Sequence, residues 1–179
     1  MVAMRRLARI CGAIALLQFT AAQAGTGKVI AGWLENVQLA VATDHPVKAK
    51  LDSGAKTSSI NARNIEPFTR DGADWVRFEL VLEGADDSIR TIAMEQPVAR
   101  FVRIKRHGGQ PHRRAVVNLD FCFSGRWWRT EFSLVDRNKF HYPVLLGRRF
   151  LAGTAVIDSG ETFVTEPDCQ SPAAEGPGS

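Results

Sequence analysis

Short β-competent runs, cut by Gly, Pro, Asn, Asp and Ser turns about every eight to twelve residues, leave this chain few folds. Val29 to Leu39 reads as a first strand. A turn at Thr43-Asp44-His45-Pro46 leads into Val47 to Leu51, which pairs back on it. Trp75 to Leu82 alternates at first as a half-buried strand does, and Ile89 to Met94 follows a Gly-Ala-Asp-Asp break. Val98 to Lys105 and Arg113 to Phe123 form a long hairpin around a turn at Arg106 to Pro111. Trp127 to Val135 comes next, then the wholly apolar Val144-Leu145-Leu146, bounded by Pro and Gly as a doubly buried strand is. A last hairpin is expected around Asp158-Ser159-Gly160. Two places are expected to be less extended: a helical turn or loop over Asn61 to Phe68, and a helical turn over Arg148 to Leu151 stopped by Gly153. No βαβ rhythm interrupts the pattern, so the fold class is all-β, a small barrel or sandwich.

Residues 1–24 are set apart from this pattern. Arg5, Arg6 and Arg9 form a basic start, Ile10 to Phe19 an apolar core, and Ala22-Gln23-Ala24 a small-x-small cleavage signal, which together read as a secretory signal peptide. The apolar run is too short to span a bilayer, which takes about 20 residues. The expectation is an exported protein, periplasmic or secreted, with one domain over residues 25–166 and a disordered Pro/Gly/Ser/Ala tail over 167–179. The formal charge of +4 includes the three arginines of the leader, so the rest is nearly balanced and nucleic-acid binding is not implied. Cys122 and Cys169 remain after cleavage, either as one bridge pinning the tail or as two free buried thiols; spacing does not decide.

The stretch Lys50-Leu51-Asp52-Ser53-Gly54-Ala55-Lys56-Thr57-Ser58-Ser59-Ile60 carries the chemistry. An apolar run delivers one carboxylate into a Ser-Gly turn, and a hydroxyl-rich segment leads away. Glycine lets the backbone turn tightly and leaves room for another chain to approach. An ordinary Asp-Ser-Gly turn would look the same.

Three features occur in one order: Leu51-Asp52-Ser53-Gly54-Ala55, a hairpin tipped by Gly108-Gly109, and Val144-Leu145-Leu146-Gly147-Arg148-Arg149-Phe150-Leu151. Together they resemble the retropepsin-like aspartic proteases. The match is nearer to the bacterial branch labelled "putative ATP-dependent zinc protease", through Gly32-Trp33, Asp52 to Ser59, Ile65-Glu66-Pro67-Phe68, Trp75-Val76-Arg77-Phe78 and Leu145-Leu146-Gly147-Arg148. The resemblance spans about Gly32 to Val164 and implies a single-lobe closed β-barrel.

It also implies a homodimer, because one acid is not enough. Peptide hydrolysis by this chemistry needs two carboxylates sharing one proton, since like charges a few Å apart cannot both stay ionised. Asp52 of each copy would meet its twin across a two-fold axis, with Ser53 and Gly54 completing the acid loop. Ala55, Lys56, Thr57, Gly108 and Gly109 would contact a peptide or protein substrate, and Leu146, Gly147 and Arg148 would support the loop. A second Asp-Ser-Gly at Asp158-Ser159-Gly160 offers an intramolecular dyad, but no room follows it for a second lobe. Lys56 departs from the viral-type enzymes, whose acid at this place pairs with the arginine of the Gly-Arg strand.

No cofactor or metal is expected. The sequence lacks His-Glu-x-x-His and a phosphate-cradling Gly-Lys-Ser/Thr loop, and its four histidines are scattered. His107 and His112 flank the hairpin tip and read as loop histidines. Arg103, Lys105, Arg106, Arg113 and Arg114 make that hairpin basic, either a solvated edge or a flap favouring an acidic peptide or a cell-wall-associated partner. The competing functions are a non-catalytic peptide-binding or regulatory module on the same fold and, third, a metal-dependent hydrolase.

Overall fold

The computed structural model describes residues 27–84, 86–106 and 109–169. The expected signal peptide, His107, the Gly108 half of the expected hairpin tip and residues 170–179 of the expected tail lie outside them. Ten strands and one helix are described: β1 (Val29–Leu39), β2 (Ala42–Asp52), β3 (Ser58–Arg70), β4 (Ala73–Glu83), β5 (Ile89–Pro97), β6 (Arg100–Arg106), β7 (Gly109–Phe123), β8 (Arg126–Val135), β9 (Val144–Gly147), α1 (Arg148–Thr154) and β10 (Ala155–Thr162). The all-β expectation holds. The strands run in the order β10-β1-β2-β9-β3-β8-β7-β6, and a further β1–β7 pairing through Gln38–Cys122 and Leu39–Phe121 joins the path into a ring. β4 and β5 extend outward from β3.

Alternation builds the interior. Val37, Leu39, Val47, Ala49, Leu51, Ile60, Val117, Phe121, Phe132, Leu134 and Leu146 turn inward and are buried in one core. Several elements differ from expectation. β2 begins at Ala42 and runs through Pro46, and β3 is continuous from Ser58 to Arg70 where a helical turn or loop was expected. Its outer half, Glu66 to Arg70, pairs with β4 in register, and there β8 and β9 no longer flank it, so Pro67 leaves no ladder bond unmade on that side. The hairpin turn expected at Arg106 to Pro111 is tighter, since Arg106 already pairs with Gly109. No hairpin forms at Asp158-Ser159-Gly160. Those residues belong to β10, which runs parallel to β1, and the register shifts between Gly32 and Leu34 to absorb them.

The start of the expected tail is tied down. Cys122 and Cys169 are bridged across 47 residues. Nearby, the fully buried Glu35 accepts hydrogen bonds from the Gly32, Val164 and Thr165 amides and the Thr165 hydroxyl. Four donors satisfy a carboxylate that would otherwise be costly to bury.

The helix α1 has seven residues and no side-chain cap, and runs past Gly153, where it was expected to stop. Isolated helices shorter than about 12 residues are marginal in water, so packing has to hold it. Phe150 supplies that packing, meeting Phe121, Phe123 and Trp128 edge-on at 5.1, 5.7 and 5.5 Å between ring centroids. We predict that Phe150→Ala lowers stability by about 3–5 kcal/mol in denaturant melts. It is also expected to speed amide exchange at Arg148 and Arg149 beyond the rest of the sheet, and uniform exchange would contradict this role for Phe150.

Candidate active site

β2 ends on Asp52, placed beside Gly147 by the parallel β2–β9 ladder of Ala49–Val144, Lys50–Leu145, Leu51–Leu146 and Asp52–Gly147. The Asp52 side chain is 26% exposed and its two oxygens differ. Oδ1 accepts hydrogen bonds from the Gly54 and Ala55 amides at 2.9 and 3.2 Å. Oδ2 faces the Lys50 ammonium at 3.7 Å. The carboxylate is thus oriented by its own loop through Oδ1, and Oδ2 meets the Lys50 ammonium.

The loop is held from outside by the chain that follows β9. The first amides of a helix have no partner within it. Here Arg148 N–H donates to the Ala55 carbonyl at 2.8 Å and Arg149 N–H to the Lys56 carbonyl at 3.2 Å. The Arg148 guanidinium reaches the Ser53 and Gly54 carbonyls at 3.1 and 3.4 Å, and Gly147 N–H donates to the Ser58 hydroxyl at 3.1 Å. The partners of the Arg148 guanidinium are therefore loop carbonyls. Gly147 has no room for a side chain, because a Cβ there would lie 2.8 Å from the Thr57 carbonyl carbon.

The β6–β7 hairpin faces the Ala55–Thr57 segment across a cavity of about 630 Å³. Lys56, Arg100, Arg103, Arg114, Arg137 and Arg149 all line it. Two of these cations share one counter-ion: Arg100 and Arg149 pair with Glu131 at 2.7 and 2.8 Å, and Arg100 also reaches the Thr57 hydroxyl at 3.2 Å. The hydrogen-bonded Arg100 guanidinium holds the Glu131 carboxyl below its usual range; partial burial opposes this and Arg149 adds to it. Arg137 is only 8% exposed. Burial, with Arg114 adding to it, pulls its guanidinium below the usual range, while Asp52 opposes the shift.

The expected site residues Asp52, Ser53, Gly54, Ala55, Lys56, Thr57, Leu146, Gly147 and Arg148 thus lie in one clasp. Gly109 opens β7 on the hairpin, and Gly108 is outside the described residues. Lys56 is exposed and lines the cavity, while the cation paired with Asp52 is Lys50. Asp158 is exposed on β10, its Oδ1 taken by the Gly160 amide of its own turn. Arg100, Glu131 and Arg137 carry no motif that marks them in the sequence, and Arg149 lies within the Gly147-Arg148 stretch without being singled out there. They come from β6, β8, the segment after β8 and α1, and only alternation within each element would have hinted at their facing. His112 is engaged locally, its Nδ1 accepting from Arg114. Among the described residues no cluster of three or more His, Cys, Asp or Glu gathers as metal ligands do. No described helix is long and apolar enough to cross a membrane.

Residues 30–168 match the family described as RimB-like, retropepsin-like aspartic endopeptidase RimB. The chain belongs to that family. A probable alpha-L-glutamate ligase of Shewanella pealeana is 37% identical over 118 residues, 65% of this chain and 25% of that protein. One from Parasynechococcus marenigrum is 35% identical over 133 residues, 74% of this chain and 28% of that protein. The chain thus spans about a quarter of the length of the curated relatives it matches. A solved structure from Legionella pneumophila, Lpg0085, described as of unknown function, superposes with a TM-score of 0.61 at 27% identity, covering 78% of this chain and all of that one.

Two outcomes are expected of this RimB-like site. Gly147→Ala should cost about 1–3 kcal/mol, read in denaturant melts, because Thr57 backbone has to move to admit the methyl group. Glu131 has a depressed folded value, so its contribution to stability is present above the ordinary carboxyl value of 4.5 and lost as pH falls through the folded value. Carbon-detected NMR should place its midpoint below 4.5, moving up in Arg100→Ala; a midpoint at or above 4.5 in the unsubstituted protein would contradict the cluster.

Proposed function

We propose that this chain is an exported, homodimeric aspartic endopeptidase in which the Asp52 carboxylates of two copies activate one water. The observation that carries the proposal is the Asp52 carboxylate itself, partly exposed and fixed through Oδ1 by two loop amides, with Oδ2 met by one surface cation at 3.7 Å. With one proton shared between two such groups, the ionised acid takes a proton from water as its oxygen attacks the scissile carbonyl carbon. The protonated acid donates to the carbonyl oxygen. The tetrahedral diol then collapses: the acid that took the water proton gives it to the amine nitrogen as the C–N bond breaks, and a diol hydroxyl returns its proton to the acids as the C=O bond re-forms, restoring the shared one.

Supporting a second copy, an apolar hollow of about 390 Å³ lined by Leu151, Ala152, Ala155 and Ile157 adjoins Ser53 and Arg148. β10 is an edge strand, and its exposed Val156 pairs in register with the exposed Ile30 of β1. Supporting export, the Cys122–Cys169 bridge suits an oxidising compartment. Supporting an acidic peptide as substrate, the cavity beside Asp52 has more cations than Glu131 neutralises. Relatives named probable alpha-L-glutamate ligases carry a stretch like this chain, and a glutamate-rich peptide is the substrate class we assign.

A second reading is a monomeric peptide-binding module. The Lys50–Asp52 contact favours it, since it occupies the oxygen a second acid would need.

Asp52→Asn should reduce cleavage of a glutamate-rich peptide by roughly a thousandfold or more, whereas Asp158→Asn stays within about threefold. Ile157→Arg should shift sedimentation from dimer to monomer and remove cleavage with it. A monomer at all concentrations that binds the peptide uncleaved would establish the binding module instead.

A further inference from the structure

We infer that Arg137 is a specificity-determining residue that binds the side-chain carboxylate of an acidic substrate residue next to the scissile bond. The inference rests on the cavity being the substrate site.

The reasoning starts from an imbalance. Buried charges are normally paired, because removing an ion from water costs several kcal/mol even after relaxation. Arg137 is more than nine-tenths buried, yet among the described residues no carboxylate lies within ion-pair distance of it. Its hydrogen-bond and ring partners are neutral. Nε donates to the Tyr142 carbonyl at 2.9 Å, Nη1 to the Ser59 hydroxyl at 2.9 Å, and the guanidinium carbon lies 4.7 Å from the Phe140 ring centroid. The Arg137 amide is itself fixed, donating to Asn61 Oδ1 at 2.7 Å.

Those bonds orient the planar group but leave its positive charge without a counter-ion, and Arg114 lines the same cavity. Glu131 is already shared by Arg100 and Arg149. A guanidinium keeps further N–H donors in fixed fork geometry, which suits a carboxylate arriving from outside. Arg137 donates to the Ser59 hydroxyl, and the adjacent Ser58 hydroxyl accepts from Gly147, the residue paired with Asp52, which puts the subsite near the acid loop. A glutamate carboxylate held there would complete the buried pair, while a glutamine amide would leave the cation uncompensated. Discrimination then comes from the unpaired state as much as from the paired one.

The test uses blocked hexaglutamate, acetylated and amidated at its ends, with each single Gln replacement, on the unsubstituted protein and on Arg137→Gln. In the unsubstituted protein one Gln position next to the cleaved bond should lower kcat/KM by about tenfold or more, the scale of a charge-assisted hydrogen bond. In Arg137→Gln that same position should become insensitive while the others keep their effects. The ratio between two peptides on one variant cancels any loss of folded enzyme, so a merely structural role leaves it unmoved. Should Arg137→Gln fail to fold, Arg137→Lys carries the test, its point charge keeping roughly a third or less of the discrimination. An unchanged pattern overturns the inference. So does an Arg137-dependent preference for an unblocked C-terminus over any side chain, which would assign the residue to terminal carboxylates. If no peptide is cleaved, the peptidase reading fails separately. Fluorescence anisotropy of the same labelled peptides then decides: position-specific binding lost in Arg137→Gln supports the inference, and equal binding overturns it.

Discussion

The acid loop has no regular structure of its own, and everything that could be chemical about it depends on donors that arrive from the far end of the chain. Five carbonyl or hydroxyl acceptors, on Ser53, Gly54, Ala55, Lys56 and Ser58, are met by Gly147, Arg148 and Arg149. Most of these donors are the amides that a helix start leaves unpaired, so α1 satisfies its own end and the loop together. That arrangement requires β9 to bring Gly147 against Thr57 without a side chain, and α1 to be pinned by Phe150. The placement of the Asp52 loop therefore depends on the packing of Phe150 in the core.

This explains why the two ends of the site were legible in the sequence and its middle was not. Asp52-Ser53-Gly54 and Leu146-Gly147-Arg148 are local patterns, in which a turn residue or an apolar run speaks for itself. The neighbours Arg100, Glu131, Arg137 and Arg149 are ordinary polar residues of four separate segments, and their meeting depends on the order β9-β3-β8-β7-β6. The same holds for the fold. Strand existence followed from alternation, as in β4, but the continuity of β3 was hidden because Pro67 looks like a stop. Only the absence of a second neighbour there makes it tolerable. The Asp158 segment failed differently: its turn residues match a hairpin, and parallel pairing with β1 overrode them.

Charge around the cavity is arranged in two tiers. Glu131 draws Arg100 and Arg149 together and links them to Thr57, which gives that wall a fixed shape. Arg137 is oriented only by neutral groups, so its charge is free to act across the cavity. The first tier builds the wall and the second offers a binding group. Their separation is physical, since a guanidinium already bidentate to a carboxylate has little left to gain from another.

The Lys50–Asp52 contact bears on whether a second acid can approach. At 3.7 Å, with Lys50 42% exposed, it is a surface ion pair. Such pairs are worth about 0–1 kcal/mol and weaken further in salt. An interface large enough for a stable dimer buries on the order of 1,600 Å² or more, and its free energy exceeds that of one surface pair severalfold. Assembly through the apolar hollow beside Ser53 would therefore displace Lys50 at little cost. Because Oδ1 is held independently by the Gly54 and Ala55 amides, the carboxylate keeps its orientation when that cation moves away. In the isolated chain Lys50 serves as the stand-in partner for an oxygen whose proposed partner is the Asp52 of another copy.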